Sequence, residues 1–415
     1  MKFNTGVLEK YYIKTVGTKL ENNPAIKIVM KEEVNGELLK EAFLEAVERF
    51  PLFGSVLKYD KDYNFQTLEE MVNIYNVNFD ERPTSFGSCN DGLLYQLSYY
   101  ENEILFEWSN IVTDEKGALL FFGILLDYYT GQELEPVHYP LPLEHAIEYF
   151  MDKKATNVKQ VQEIPGFNQK DLPYDKEPRN TNVHILKVKK EEVLKIITKE
   201  EKNTTAVLVP LFSRALRKHL KDTAKSKNVK VNVRLDVRNT EEIHSYRNCL
   251  ITNHITYVDR YDNLDINHVH TIYNTFLNLA EDLDAIKLAC TQTYHRLQAL
   301  NTIRPKFLVK PIINSIKHKD SNYTYTNLGK IPFSKEAMAF IESVHINSAP
   351  TYGECAINVY ELDEYLYLNI SENYLDKEII SSFISICSEF EINLEEIDNY
   401  VFKERTLVLE KKSGN

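Results

Sequence analysis

The sequence lacks the marks of several protein classes, and each absence removes an explanation. Its five cysteines, Cys89, Cys249, Cys290, Cys355 and Cys387, are scattered, odd in number and without a CxxC pair. That argues against a disulfide framework or a cysteine-based zinc site and for a reducing compartment. No apolar run reaches the roughly 18 residues a membrane span needs. The opening MKFNTGVLEKYYIKT has no apolar signal core. The expectation is a cytoplasmic protein without a membrane span. No basic stripe interrupts a net charge of −12, so nucleic acid and anionic membranes are poor partners. No glycine-rich phosphate loop is present, since GTKLENNP and GSCNDG do not fit one. There is no Gly-x-Ser-x-Gly elbow either, which argues against an α/β-hydrolase.

What is present describes a large folded chain. Of 415 residues, 43% are hydrophobic, enough for a big core or two sub-domains. With 26 Tyr and 20 Phe, long disorder is not expected. AIKIVM at 25–30 reads as a strand, and NGELLKEAFLEAVERFP as an amphipathic helix with Leu39, Phe43 and Val47 on one stripe. LLYQLSYYENEILFEWS reads as two strands joined at Glu101–Glu103. The polar, proline-bearing segment 161–182 is the best linker. It divides the chain into sub-domains 1–160 and 183–402, with a charged tail at 403–415 that should fray. In the second part VHILKVKK, the alternating VKVNVRLDVRN, YTYTNLG, CAINVYEL and YLYLNIS read as strands. EEVLKIITKE, TAVLVPLFSRALRKHLKDT, the long stretch from NHVHTIYN to LQAL, and KEIISSFISICSEF read as helices. The mix indicates an α+β fold of two sheet-and-helix halves.

Chemistry is most expected at EWSNIVTDEKGALLFFGILLDYYTG, residues 107–131. A strand ends there and an apolar helix begins, and such junctions turn backbone polar groups into a crevice. His268 and His270, in HVH, sit two apart at a helix start and diverge, so they read as solvated histidines and no metal site is expected.

Four segments, in order, resemble the chloramphenicol acetyltransferase-like superfamily, which includes condensation domains, and most of all its bacterial alcohol acetyltransferase-like members. They are AVERFPLFGSVL, the junction EWSNIVTDEKGALLFF, LDVRNTEEIHSYRNC, and YTYTNLGKIPF with CAINVYELDEYLYLNIS. The resemblance implies two similar sub-domains, each a mixed sheet backed by helices, meeting at a channel. It implies transfer of an acyl group from a thioester, acyl-CoA, to a hydroxyl or amine acceptor, with no bound cofactor. The family signature His-His-x-x-x-Asp-Gly uses its second histidine as general base, because imidazole suits removal of a hydroxyl proton near neutral pH.

On this sequence the signature falls on Ser109, Asn110, Asp114 and Glu115; the base is replaced by Asn110. Thr113, Asp114, Gly117 and Ala118 still match close relatives. An amide orients an acceptor by hydrogen bonding but does not accept its proton. None of the eleven histidines is followed by Asp four residues later, so no intact motif stands elsewhere. His254 either faces the channel or is an ordinary strand residue. Glu115 is either a base, if burial raises its pKa, or, as expected beside Lys116, a solvated loop carboxylate. By the resemblance Asp114 is structural, paired with Arg238 or, second, Arg247. Thr326 and Asn327 stand at the family's Ser-Asn; Thr326 is either an oxyanion donor or a β-branched strand end. Two outcomes stay open: an acyltransferase working without its usual base, or an inactive relative that binds a thioester, a lipid-like ligand or a protein partner.

Overall fold

A computed structural model describes residues 2–17, 21–59, 62–67, 74–81, 85–87, 92–134, 146–152, 164–173, 180–238, 240, 245–303, 311, 321–348, 350 and 355–409. Two mixed sheets organise them. The smaller runs Ile341–Asn347, Ala25–Met30, Glu103–Trp108, Tyr95–Tyr100, Ile74–Asn76. The larger runs Leu250–Tyr257, Val229–Asp236, Tyr323–Lys330, Cys355–Leu362, Tyr365–Glu372, Asn180–Lys189, Glu395–Lys403. It is parallel only where Tyr323–Lys330 meets Val229–Asp236 and Cys355–Leu362.

Local chemistry sets the element ends. The Asn35 side chain accepts from Glu37 N and Leu38 N and so starts the helix Gly36–Arg49, which Pro51 stops. Glu101, with φ of 51°, turns the hairpin between Tyr95–Tyr100 and Glu103–Trp108. The Glu115–Tyr129 helix packs on the smaller sheet through Leu119, Phe122 and Leu126.

The larger sheet has two unlike faces, because its strands alternate. Val229, Val231 and Val233, with Tyr323, Tyr325, Ile357, Leu368 and Ile370, lie in a core shared with the helices Thr205–Lys218, Ile266–Ala280 and Glu378–Glu389. The other face carries Asn232, Arg234, Thr324, Thr326, Asn358, Asn369 and Ser371 and turns to the first half. It is buried nonetheless: Asn232, Thr326, Asn358 and Asn369 are at most 2% exposed.

Several expectations need correcting. The described part of the 161–182 segment is no loose linker. Phe167 and Leu172 join the larger core, and Phe167 N donates to Asn228 O at 2.7 Å. The 183–402 unit is not self-contained, since Ile341–Asn347 crosses to pair with Ala25–Met30. The start of the 403–415 tail does not fray: Thr406–Val408 pairs with Ser85–Gly87, and Arg405 is buried against Glu107. EEVLKIITKE is helical only over Lys190–Lys195. The long helical stretch is two helices, the second capped by Asp282. His270 is not solvated but buried, with burial lowering its pKa, while His268 stays exposed beside Asp265.

Candidate functional site

The junction is built by backbone geometry first. Ser109 N donates to Leu94 O at 2.8 Å as the strand ends, and Val112 N returns to Ser109 O at 2.9 Å. Trp108 Nε1 spans the turn to Thr113 O at 3.2 Å. Asp114 then adopts an extended conformation and caps the Glu115–Tyr129 helix. Its carboxylate accepts four hydrogen bonds. Gly117 N and Arg238 Nη2 reach Oδ1 at 2.8 and 2.7 Å; Cys249 N and Leu250 N reach Oδ2 at 2.6 and 3.0 Å. Arg238 is equally committed, donating to Asp236 Oδ1, Ser245 O and Arg247 O. Burial disfavours the Arg238 cation, but Asp114 and Asp236 outweigh it and push the pKa up. Gly117 permits the close approach: a Cβ there would lie 1.9 Å from Tyr246 O. Burial pushes the Cys249 thiol up to about 11, so it is no thiolate nucleophile. Arg247 does not reach Asp114; it pairs with the buried Glu9 of the Val7–Thr15 helix.

Asn110 sits in the turn, 5% exposed. Its main-chain carbonyl accepts from Asn248 Nδ2 at 2.9 Å. Its own Oδ1, and that of Asn248, meet no donor among the described residues. Each of these two oxygens is thus a buried acceptor without a donor among the described residues.

Glu115 departs from expectation. It is fully buried, not solvated, and its Oε2 accepts from Arg234 Nη1 at 2.7 Å. Ser348 Oγ donates to Oε1 at 3.0 Å and accepts from Asn358 Nδ2 at 3.0 Å. The chain Asn358–Ser348–Glu115–Arg234 therefore ties the junction to the polar face of the larger sheet.

The remaining sites scatter around this centre. Thr326 is buried in register between Arg234 and Asn358. Asn327 fixes the strand's irregular end: its Nδ2 donates to Thr205 Oγ1 at 3.3 Å and its Oδ1 accepts from Gly329 N at 2.9 Å. His254 is half-buried on the edge strand, opposite Asn232. A cavity of about 950 Å³ opens where Val229–Asp236 and Tyr323–Lys330 end. Lys116, Arg234, Arg238 and Asn327 are on its wall. Asn110, Ser109, Thr326 and His254 are not among its described lining residues. The fold thus joins Asp114 to Arg238 and brings Asn327 to the cavity, while His254 stays off it.

Sequence reasoning passed over Arg234, Lys116 and Asn248. Arg234 had one local signal, a charge at a polar-face position of the alternating VKVNVRLD. Among the described residues no group of three His, Cys, Asp or Glu could hold a metal, and no helix is long and apolar enough to cross a membrane.

No protein-family model matches the sequence, and no curated protein matches it. Solved structures do. Polyketide synthase associated protein 5 from Mycobacterium tuberculosis is similar with a TM-score of 0.62 at 12% identity, covering 94% of this chain and 98% of that one. F. sporotrichioides TRI101, solved with coenzyme A and T-2, is similar with a TM-score of 0.60 at 11% identity, covering 96% and 100%. The condensation domain of the Monacolin K polyketide synthase MokA is similar with a TM-score of 0.61 at 9% identity, covering 94% and 97%. At these identities the likeness is one of fold. The chain has the two-half α+β architecture of a condensation domain, over nearly its whole length.

Proposed function

We propose that this chain takes an acyl thioester, acyl-CoA, as donor and passes the acyl group to a hydroxyl or amine acceptor without a histidine base. In this reading the acceptor oxygen or nitrogen attacks the thioester carbonyl. The carbon–sulfur bond then breaks, and the acceptor's proton ends on the departing thiol. Asn110 orients the acceptor through its amide and takes no proton. Ser109 lies in the same turn, and Thr326 stands ready as a donor to the carbonyl oxygen as charge develops there. Asn327, on the cavity wall, completes the substrate-facing set, and the cytoplasm is the expected compartment. Positioning alone can supply several kcal/mol of rate.

The observation that carries the reading is the junction itself. Asp114 and Arg238 hold it in shape through a network of hydrogen bonds, while among the described residues the Asn110 amide oxygen within it stays buried and unmet. A buried acceptor without a donor is costly unless something fills the place. The likeness to a structure solved with coenzyme A agrees with the donor.

A second reading has its own support. Glu115 stands at the family's glycine and reaches Arg234 across the interface. A side chain filling that space favours a relative that binds its ligand and does not turn it over.

Calorimetric titration with acetyl-CoA and longer acyl-CoAs, with free thiol followed in parallel, separates the two. Thiol release that rises with added acceptor supports transfer. Binding without release, converted to turnover by Asn110→His, supports the second reading. No binding of any acyl-CoA would sink both.

A further inference from the structure

The cavity wall holds more positive charge than the junction uses. Arg238 is spent on Asp114 and Asp236. Arg234 is not spent. A guanidinium has five N–H donors, and among the described residues those of Arg234 meet one acceptor, Glu115 Oε2. None of the others is sealed in protein without a partner. The Arg234 side chain is 15% exposed and lines the cavity wall. Lys116 lies beside it, directly after Glu115 in the chain. Its ammonium donates to the carbonyls of Leu328 and Lys330 and, among the described residues, forms no ion pair with a carboxylate. Lys330 adds a third cation to the wall; the opposing Glu281 is exposed at its edge.

We propose that this cavity binds a ligand through a carboxylate, seated on the free edge of Arg234 with Lys116 beside it. The Arg234 fork has two usable edges. Glu115 occupies one through Nη1, and the other matches the two oxygens of a second carboxylate. Glu115 thus fixes the guanidinium in place, so little is lost in ordering it when the ligand arrives. The site sits beyond the carboxyl ends of two parallel strands, where ligands of such sheets commonly bind. Carboxylate binding stands on this geometry alone. That the carboxylate belongs to the acyl acceptor rests on the acyl-transfer reading above.

The test is calorimetric titration of the full chain with benzoate, with its uncharged counterpart benzamide, with inorganic phosphate and, separately, with coenzyme A. Benzoate should bind at least tenfold more tightly than benzamide or phosphate. The double variant Glu115→Gln, Arg234→Gln, which removes both charges together, should lose benzoate at least tenfold with an unchanged far-UV circular dichroism spectrum. Lys116→Met leaves that ion pair intact and should weaken benzoate severalfold; it serves if the double variant does not fold. Equal binding of benzoate and benzamide, phosphate binding as tightly as benzoate, or benzoate affinity indifferent to both variants overturns the proposal. Benzoate binding that depends on Arg234, in a chain that binds no coenzyme A, upholds it and overturns the acyl-transfer reading instead.

Discussion

Asp114 shows what one residue can hold together. Its two oxygens cap a helix, pair with Arg238 and anchor the main chain at Cys249 and Leu250. Asp114→Asn keeps the shape but removes one of the two carboxylates that face the buried Arg238 cation, the other being Asp236. Breaking a buried pair from one side costs on the order of 3–5 kcal/mol. Urea unfolding of the variant should show a loss of that size; a loss below about 1 kcal/mol, the level of a surface pair, would mean the pair is not the clasp. The sequence announced Asp114 because its motif is local, and it singled out Asn110 in the same stretch. It could not announce Glu115. Next to Lys116 and at a loop end, Glu115 reads as solvated, and only the tertiary fold brings Arg234, 119 positions on, within 2.7 Å.

At the scale of elements, alternation made the strands legible. VKVNVRLD, YTYTNLG and CAINVYEL each put apolar residues on one face, and each is a strand of the larger sheet. What alternation hid was the use of the second face. A polar face normally meets solvent; here it meets the other half, and that requires knowing which surfaces dock. Helix breaks were hidden too, because the cap at Asp282 sits inside an otherwise continuous helical stretch. The outer strand of this sheet, Glu395–Lys403, offers a test by pH. His184, on the neighbouring strand, has Nδ1 2.7 Å from Glu396 Oε1 and Nε2 3.6 Å from Glu372 Oε1. Burial disfavours its cation, but the two carboxylates outweigh burial and raise its pKa. The folded state therefore holds this proton to higher pH than the unfolded chain does. Its stabilisation is complete below the unfolded value of about 6.5 and is lost as pH rises through the folded value. The gap in urea midpoint between the parent and His184→Gln should narrow from pH 6 to pH 8.5. A gap that stays constant or widens would exclude the clamp.

The whole molecule is held by exchange between its halves. Ile341–Asn347 leaves the second half to edge the first sheet, and the chain after Lys403 returns to the first half as a strap. Neither departure could be read from a cut at 161–182, because a linker is a statement about composition and an exchanged strand is a statement about pairing. The strap's anchor is Arg405. It is 2% exposed, its Nε donates to Glu107 Oε1 at 3.0 Å, and Glu107 itself is 1% exposed, three residues before Asn110. Around it, Glu404 accepts from Asn23 N at 2.6 Å, and Glu21 accepts from Leu407 N at 2.6 Å. A buried pair like this need not add net stability over apolar residues of similar volume, whereas breaking it from one side costs about 3–5 kcal/mol. A double-mutant cycle reads the difference. Arg405→Met and Glu107→Met should each lower the urea midpoint strongly, and the double variant should recover most of the loss. Simple additivity of the two losses would show that the strap is held by its backbone pairing with Ser85–Gly87 and not by the ion pair. Recovery would make Glu107 the point where the C-terminal strap is tied to the strand that ends at Asn110.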